Sequence, residues 1–535
     1  MKKIFYVLMI ALVSVLMMAC DKKYTFDITI DDYSELRNSI VVNYTIVDPD
    51  KALKGSSISA EIFKRGEKVA VTANTISYNA SKLSGETKFP GLDSGVEYTV
   101  KFSVGYEGKQ VYLENAVVDV KTKSEGNSAE TPYMISTVEE FSKLIKNDPK
   151  GYYKLANDID FKGTSFAPLF DSKTPFEGTF DGANFKLINF KVGTDAANPS
   201  PITTKNYGLF GYIGEEGTIQ NVTLEQFNLF VSRNSSTVLI GLLAGYNAGT
   251  ISNVKVVSSA IYYDLASSTS NNTSDGSGNL TGYYVGGLVG HSKATSVIKD
   301  CSVDLDITVK AKRHIVIGGI VADTYDNTEI DTTKANITNC SYTGEINVDI
   351  NNTSHSSYEA TTCIGGIVGR NYLPISDCTT TGTISYKSTF KTPSKNVYRV
   401  FTGGLVGWNI SNTSAVLNSS SSMTTTFDSK DVLNAYVGLL VGRNGGGVAN
   451  NTTKAKVSNC TYTLPEGGVN EVSVFDGRGE NVGLIGLDGS SKTTCKSTNS
   501  FNITVNTYEN GKDENNKEIF VLKTTTLVAI TASAE

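Results

Sequence analysis

The chain has 535 residues, a formal net charge of −6 and 19% charged residues, and it contains 49 glycines but only 11 prolines. The low contents of charge and proline exclude a chain that is disordered through either, a coiled coil and a collagen-like helix. The small net charge gives no electrostatic signal for nucleic acid. Three scattered histidines leave little material for a histidine-based metal site or catalytic triad, so we expect neither a metal nor a cofactor.

The first twenty residues form a distinct segment. Lys2 and Lys3 precede an apolar run over residues 4–18, which is shorter than a membrane-spanning helix and typical of a signal peptide. The Ala-Cys pair that ends at Cys20 resembles the lipobox of bacterial lipoproteins. The resemblance implies a signal peptide over 1–19, and a lipidated Cys20 that begins a short tether over 20–23. An ordinary cleavable signal with an incidental cysteine is the alternative.

The predicted lipid fixes the expected location of the protein. A lipid on the N-terminus attaches a protein to a membrane without spanning it. No later apolar run is long enough for a membrane-spanning helix, so we expect everything after Cys20 to be exported. We therefore expect a lipid anchor in the outer membrane, with the protein facing either the cell surface or the periplasm.

Residues 24–123 show the alternating apolar pattern of β-strands, with Ile40, Val42, Tyr44 and Ile46 on one face. About seven short strands in roughly 100 residues are typical of an immunoglobulin-like sandwich. The segment LDSGVEY, which ends at Tyr98, resembles the fibronectin type III pattern of a leucine six residues before a corner tyrosine. This resemblance implies that Tyr98 hydrogen-bonds backwards. The usual tryptophan of strand B is absent, which leaves the subtype open, and the domain is either a spacer or a ligand-binding module.

A glycine-rich motif recurs eight times along the rest of the chain. The copies are YGLFGYI (207–213), IGLLAGYN (240–247), VGGLVGHS (285–292), IGGIVADT (317–324), IGGIVGRN (364–371), TGGLVGWN (402–409), VGLLVGRN (437–444) and VGLIGLD (482–488). A second motif, such as TISNVKV or NITNCSY, follows most copies. Self-similarity at this spacing is the signature of a solenoid, because a single repeat cannot bury its own apolar face.

These motifs resemble the GLUG repeat of bacterial surface and secreted proteins over residues 207 to about 498, and residues 128–192 resemble the segment that precedes such repeats. The pattern predicts a right-handed parallel β-helix over 153–499, with valine, leucine and isoleucine inside and glycine permitting close stacking. The expected fold class is therefore all-β: a solenoid preceded by an Ig-like or fibronectin type III-like sandwich. A linker and capping helix are expected over 124–152, and a C-terminal cap over 500–535.

The second motif places cysteine and asparagine at fixed positions. Cys301, Cys340, Cys378 and Cys460 each follow an Asn or Asp directly, which predicts a column of small buried side chains without a disulfide or a metal. Cys363 and Cys495 are expected outside this column. The residues that precede the column are expected to form a ladder of turns with backbone hydrogen bonds. They are Asn221, Asn253, Asp300, Asn339, Asp377 and Asn459.

Parallel β-helices also carry polysaccharide lyases and hydrolases, which need paired carboxylates, or a base with Arg or Lys, at one groove. One acidic group stands beside basic residues here, and its members are Asp323, Asp326, Glu329 and Asp331 with Lys312 and Arg313. The group lies in or beside one loop and does not recur on adjacent coils. We therefore expect a solvated loop, and no enzyme activity.

Long polar insertions precede the glycine motifs, at 193–206, 264–282, 350–361, 386–399 and 463–480. Coils that stack in register would project them all at one corner, and such an edge often marks the binding edge of a repeat protein. Tyrosines flank the insertions, and an exposed tyrosine suits sugar stacking or protein contact. The candidate ligand-binding residues are Tyr262, Tyr263, Tyr283, Tyr284, Tyr358, Tyr398 and Tyr436. Tyrosines that pack on their own coils are the alternative.

The leading functional prediction is a cell-envelope lipoprotein that acts as an adhesin and binds a glycan or an extracellular protein along this loop edge. The first alternative is a polysaccharide-processing enzyme or its accessory glycan-binding subunit. The second is a structural envelope protein without a dedicated ligand. The expected partners are the membrane, through the lipid, and the glycan or protein ligand; nucleic acid is not expected, and the chain is expected to be monomeric.

Overall fold

A computed structural model of the chain describes residues 26–106, 109–233, 237–265, 282–312, 315–324, 336–352, 360–390, 398–429, 434–445, 455–475, 481–488 and 493–532. The predicted signal peptide, Cys20 and its tether lie outside these ranges, as does Tyr358. The chain divides into two compact units, 1–133 and 134–535. Within the described ranges, no helix is long and apolar enough to cross a membrane.

The first unit is built from two antiparallel sheets. Its strands are β1 (Asp27–Glu35), β2 (Ser39–Val47), β3 (Ile58–Lys64), β4 (Ala70–Ile76), β5 (Ser84–Pro90), β6 (Glu97–Tyr106) and β7 (Lys109–Lys121). One sheet has the order β1-β2-β5 and the other the order β4-β3-β6-β7. Alternate residues of β2, β3 and β6 meet in one apolar core, as their period of two predicts.

A buried tyrosine holds the corner that leads into β6. The hydroxyl of Tyr98 accepts a hydrogen bond from the backbone N–H of Asp93 at 2.9 Å, and the side chain is completely buried. This confirms the predicted backward bond. A buried hydroxyl needs such a partner, because leaving it unsatisfied costs about 1 to 3 kcal/mol.

The second unit begins with a helix and short strands, and continues as repeated coils. The first elements are β8 (Tyr133–Ile135), α1 (Val138–Asn147), β9 (Tyr152–Leu155), β10 (Ile159–Asp160), β11 (Thr179–Asp181), β12 (Lys186–Ile188), β13 (Lys191–Val192) and β14 (Ser200–Pro201). The next are β15 (Asn206–Tyr207), β16 (Phe210–Ile213), β17 (Thr218–Glu225), β18 (Asn228–Ser232), β19 (Val238–Ile240), β20 (Ala244–Asn247) and β21 (Thr250–Asp264).

The middle coils are more regular than the first ones. Their strands are β22 (Tyr283–Gly286), β23 (Val289–Ser292), β24 (Val297–Lys299), β25 (Ser302–Ala311), β26 (Val316–Gly318), β27 (Val321–Asp323), β28 (Ile337–Thr338), β29 (Ser341–Asn352), β30 (Ala360–Gly365), β31 (Val368–Asn371), β32 (Pro374–Ser376) and β33 (Thr379–Phe390). The last coils contain β34 (Tyr398–Gly403), β35 (Val406–Asn409), β36 (Ala415–Leu417), β37 (Ser420–Ser429), β38 (Asn434–Asn444), β39 (Lys456–Tyr462), β40 (Glu471–Phe475), β41 (Asn481–Asp488), β42 (Thr493–Ser497), β43 (Phe501–Lys512) and β44 (Glu518–Ile530).

Equivalent strands of successive coils pair in parallel and in register. β29 pairs with β33 over its whole length of 12 residues without a shift. Ile317 pairs in the same way with Val285 of the preceding coil and with Ile364 of the following coil. Residues at one repeat position therefore form columns along the solenoid axis, at intervals of about 4.8 Å. This confirms the predicted parallel solenoid.

The glycine motif forms two strands in most coils. In the third coil β22 ends at Gly286 and β23 begins at Val289, and we call these strands the first and second arms of the motif. The chain bends sharply between them. As a result, a Cβ on Gly286 would collide with the carbonyl oxygen of Val289. Glycine is needed where the backbone folds back this closely.

The second arm lies directly on the first arm of the preceding coil. A Cβ built on Gly407 would stand 2.7 Å from the backbone nitrogen of Ile364, and one on Gly442 would stand 2.7 Å from that of Thr402. No side chain fits in such a contact. The last glycine of the motif therefore lets two strands touch through their backbones, which covers both faces of the first arm.

The two ends of the solenoid differ. At the beginning, Thr137 caps α1 and its Oγ1 accepts a hydrogen bond from the Glu140 N–H at 3.1 Å, while the Glu140 side chain accepts one from the Ser136 N–H at 2.8 Å. Phe141 of this helix is completely buried, and it packs edge-on against Phe180 with ring centroids 5.5 Å apart. At the other end, β43 pairs with β40 in parallel and with β44 in an antiparallel hairpin.

Gly438 and Gly483 occupy the same motif position and offer a matched test of the backbone contacts. A Cβ at Gly438 would collide with the Val441 carbonyl oxygen, whereas the nearest atom to a Cβ at Gly483 lies at 3.4 Å. We expect Gly438→Ala to lower the free energy of unfolding by about 1 to 3 kcal/mol, and Gly483→Ala to change it by less than about 0.5 kcal/mol. Urea denaturation followed by circular dichroism measures both, and equal effects would contradict the proposed contact.

Candidate functional site

The predicted ligand-binding tyrosines are mostly part of the core. Tyr262, Tyr263, Tyr283 and Tyr284 are 5%, 0%, 1% and 4% exposed, so the expectation that they present rings to a ligand is wrong. Burial raises the pKa of Tyr284 to about 12. The physical reason is the stacked arms: Tyr283 and Tyr284 lie on opposite faces of the first arm, and both faces are covered.

The remaining predicted tyrosines have different positions. Tyr436 is half-buried in β38, and Tyr398 begins β34. Tyr358 lies outside the described residues. Of this predicted set, therefore, only Tyr436 is shown with part of its side chain at the surface.

The described ends of two predicted insertions lie at equivalent points of neighbouring coils. The long strands β25, β29 and β33 pair in register, as do the first arms β26, β30 and β34 that follow them. The insertions 350–361 and 386–399 therefore begin and end at equivalent points, since Asn352 pairs with Phe390 and Ala360 with Tyr398. The insertion 463–480 contains the strand β40, and a common corner for all five insertions stays a prediction.

The predicted asparagine ladder is confirmed as a series of turns, which are hydrogen-bonded through both backbone and side chains. Asn221, Asn253 and Asn339 have φ values of 55°, 51° and 50°, in the left-handed region that asparagine tolerates better than most residues. The backbone N–H of Asn339 donates to the Ser376 carbonyl oxygen at 3.1 Å, as predicted. Side chains of adjacent coils are also hydrogen-bonded to each other. Asn253 Nδ2 donates to Asn221 Oδ1 at 2.9 Å, and Asn339 Nδ2 donates to Asp300 Oδ1 at 2.8 Å.

The cysteine column is longer than predicted. Cys301, Cys340, Cys378 and Cys460 are free thiols with at most 2% exposure. Cys495 pairs in register with Cys460, so its expected position outside the column is wrong. Its second motif lacks the Asn-Cys pair that marks the other members, which hid the equivalence. The Sγ atoms point to backbone carbonyls, as that of Cys340 does to the Thr338 oxygen at 3.1 Å.

One column of the glycine motif departs from the repeat, and we call it the variable column. It lies on the second arms, directly after a position that is glycine in all but one coil. Its register is continuous from coil to coil. Its members are Tyr212, Tyr246, His291, Asp323, Arg370, Trp408, Arg443 and Leu487. The sequence contains a signal for this column, because the residue before the motif's final Asn changes from copy to copy. This signal is weaker than that of the constant glycines, on which the prediction was based.

Aromatic rings stack along the first part of the variable column. The rings of Tyr212 and Tyr246 are nearly parallel, with centroids 4.4 Å apart, and the His291 ring lies 4.9 Å from that of Tyr246. At the other end, the Arg443 guanidinium lies over the rings of Phe401 and Trp408, at 5.5 and 5.2 Å. In-register stacking places these planar groups against one another and favours cation–π contact.

An ion pair occupies the middle of the variable column. Arg370 donates to both carboxylate oxygens of Asp323, from Nε at 2.7 Å and from Nη2 at 3.0 Å. Burial would raise the pKa of Asp323, but the charge of Arg370 outweighs it and the pKa falls to about 2. Asp323 is completely buried at the end of β27, so the expectation of a solvated loop residue is wrong.

Some side chains of the variable column are buried, and others are partly exposed along its edge. Asp323 and Trp408 are 0% and 2% exposed, whereas the Arg370 side chain is 21% exposed and Tyr246 is half-buried. Tyr372, beside Arg370, is half-buried as well. The surface therefore presents hydroxyls, ring edges and a guanidinium, which suit hydrogen bonding to an extended ligand.

The variable column does not resemble an acid–base site. Asp323 already accepts two hydrogen bonds from Arg370. Asp326, Glu329, Asp331 and Arg313, the other members of the predicted acidic group and its basic neighbour, lie outside the described residues. In the part of the chain that the structure describes, no three His, Cys, Asp or Glu side chains are grouped so that they could hold a metal ion.

Comparison with known proteins supports a GLUG repeat protein. Residues 281–308 match the GLUG motif family. A protein named as a Gly-rich membrane protein, from Evansella cellulosilytica, is 30% identical over 169 residues, which is 30% of this chain and 17% of that protein. Halomucin of Haloquadratum walsbyi is 30% identical over 156 residues, or 26% of this chain and 2% of halomucin. The chain thus spans a small part of these relatives.

A solved structure of an IgA1 protease aligns with 93% of this chain and 30% of its own length, with 13% sequence identity and a TM-score of 0.29. The similarity is too low to carry an argument about function.

The ion pair predicts a pH-dependent contribution to stability. The pKa of Asp323 is about 2 in the folded chain and about 4 when unfolded, so its stabilisation is full above pH ~4 and is lost as pH falls towards 2. We expect Asp323→Asn to lower the free energy of unfolding by about 3 kcal/mol at pH 7, with the difference from wild type narrowing below pH ~4.

Urea denaturation between pH 7 and pH 2.5 measures this difference. The exposed Asp304 gives the matched control Asp304→Asn, for which we expect a small effect. A gap between wild type and Asp323→Asn that stays constant over the whole pH range would contradict the account.

Proposed function

We propose that this chain is a lipid-anchored cell-envelope adhesin whose ligand binds at the partly exposed edge of the variable column, where Tyr246, Arg370 and Tyr372 reach the surface. In this proposal Cys20 carries the lipid in the outer membrane, with the protein facing the cell surface. The sandwich, which we assign to the fibronectin type III-like class from its strand order and the Tyr98 bond, serves as a spacer. The solenoid holds the binding surface on a rigid frame.

The single observation that carries this proposal is the chemical variety of one column within a uniform repeat. The position two residues earlier on the second arm is a buried valine in five successive coils, from Val289 to Val441, because packing dictates it. The variable column instead changes from ring to carboxylate to guanidinium between adjacent coils. A column with only a structural role could use the same residue in every coil. The variety of residues in this column therefore favours a role in ligand recognition.

The proposed ligand is an extended, hydroxyl-rich polymer, and a glycan fits best. The variable column covers eight coils, which corresponds to roughly 34 Å along the axis. Tyrosine hydroxyls and the Arg370 guanidinium offer hydrogen-bond donors at its surface, and guanidinium also pairs with carboxylates. An extended protein ligand would meet the same groups and is the alternative that the binding experiment separates.

An accessory glycan-binding role is compatible with this surface, whereas hydrolysis is less so. A glycosidase needs two carboxyl groups flanking the bond that is cleaved. Asp323 is the one carboxylate in the variable column, and it is neutralised by Arg370. We therefore propose binding without catalysis.

The first test uses arrays of glycans and of matrix proteins probed with the full chain in detergent. Tyr372→Ala with Tyr436→Ala removes two half-buried rings beside the column, and we expect at least tenfold weaker binding to the ligand that is found. Phe185→Ala, at a 36% exposed aromatic residue on an early coil, is the matched control. Undiminished binding by the double variant, with both variants folded by circular dichroism, would contradict the assignment.

The lipid anchor is tested separately. Cys20→Ser removes the thiol that the lipid modifies, so we expect loss of fatty-acid labelling and release of the protein from the membrane fraction. Cys495→Ser, at the half-buried end of the cysteine column, should keep both the label and the membrane association. Labelling that persists in Cys20→Ser would contradict lipidation at this residue.

A further inference from the structure

The last strand of the solenoid has an unusual edge. β44 pairs with β43, and it pairs with no other strand among those that the structure describes. Its apolar side chains stand in solvent, with Leu527 60%, Leu522 51%, Val521 40% and Ile519 38% exposed. The strand β43, which pairs with it, buries Ile503 and Val505, so β44 needs an explanation of its own.

Natural edge strands are usually protected by charges, proline or a bulge. The stretch Thr524–Ile530 has the sequence TTTLVAI, with no charge and no proline. Its pairing with Phe501–Thr507 is regular, and the one register shift lies outside it, next to Lys523. The stretch is therefore a flat apolar edge with backbone groups available for another strand.

We propose that β44 pairs with β44 of a second copy of this chain, antiparallel about a two-fold axis at Leu527. Leu527, the most exposed apolar residue of the strand, then lies opposite its own equivalent. Thr526 lies opposite the second copy's Val528, and Thr525 opposite the second copy's Ala529. Such β-branched and apolar cross-strand pairs stabilise a sheet.

Charge is compatible with this pairing. Lys523 is the charged residue nearest to Leu527, and in the proposed register it lies opposite Thr531 of the second copy. It stands 3.7 Å from Glu509 of its own chain. No like charges therefore face each other across the two-fold axis, whereas like charges directly opposite would oppose pairing.

The ends of the solenoid favour a second copy in this arrangement. A head-to-tail stack would need a free strand at the first coil, but α1 covers that end with Phe141 and Ile145 completely buried. A two-fold pairing uses the same surface on both copies and closes after two chains. The sequence predicted a monomer; the exposed edge of β44 favours a dimer, and this inference does not depend on the proposed ligand.

A cysteine at the axis tests the geometry directly. Opposite residues of an antiparallel pair lie about 4.5 to 5.5 Å apart, which is within reach of a disulfide. We expect Leu527→Cys in the full chain, at about 50 μM in detergent, to form a covalent dimer at least tenfold faster than Val69→Cys. Val69 is 79% exposed and lies outside the proposed interface. Equal rates for the two variants would overturn the proposal.

A charge exchange separates dimerisation from misfolding. Leu527→Lys places two lysines opposite each other, so we expect at least a tenfold higher dissociation constant in sedimentation equilibrium, and the same for Leu527→Glu. A mixture of the two variants should dimerise at least as well as wild type, because the pair becomes complementary. A dimer that Leu527→Lys does not weaken, a wild-type chain that stays monomeric at this concentration, or a mixture that fails to associate would each overturn the inference.

Discussion

Backbone contact between the arms of the glycine motif is the constraint on which the solenoid depends. The second arm of each coil lies on the first arm of the preceding coil without side chains between them, at Gly407 and Gly442 for example. This contact fixes the distance between the arms and leaves little freedom to slip by one residue. In-register columns follow, because a one-residue slip would bring a side chain into a space that only glycine fits.

The columns explain both the stability and the chemistry of the solenoid. Asparagine side chains bridge adjacent coils at the turns, and free cysteines fill the positions behind them. The same stacking holds Arg370 against Asp323, so that a completely buried carboxylate keeps its charge. A buried pair of this kind is costly to desolvate and is retained where geometry is fixed. The rigid frame thus allows the residue type to change from coil to coil in the variable column, while the glycine and valine positions beside it change less.

Much of the fold could be predicted from the sequence, because its signals are local. The repeat predicted parallel coils, the capping helix expected within 124–152 corresponds to α1, and the segment before Tyr98 predicted the corner bond. The location of the tyrosines could not be predicted in this way. Alternation distinguishes two faces of a strand, but Tyr283 and Tyr284 are both buried since a second strand covers the outer face. The covering strand belongs to a neighbouring coil, so no local sequence pattern predicts it.

The variable column shows the same limit in the candidate site. Tyr246, His291 and Arg370 are far apart in sequence, and only the register of the second arms brings them together. Asp323 was expected in or beside a loop, yet it is the last residue of β27 and is completely buried. The partner that neutralises Asp323 is 47 residues away. Pairing at this separation follows from stacked coils and has no local signature.

In-register stacking is tested most directly by crosslinking neighbouring coils. Thr343 and Thr381 are exposed and lie opposite each other on β29 and β33. The account predicts that Thr343→Cys with Thr381→Cys forms an intramolecular disulfide at least tenfold faster than Thr343→Cys with Thr383→Cys, which is displaced by two residues along the strand. Equal rates, or faster reaction of the displaced pair, would contradict the register on which the columns depend.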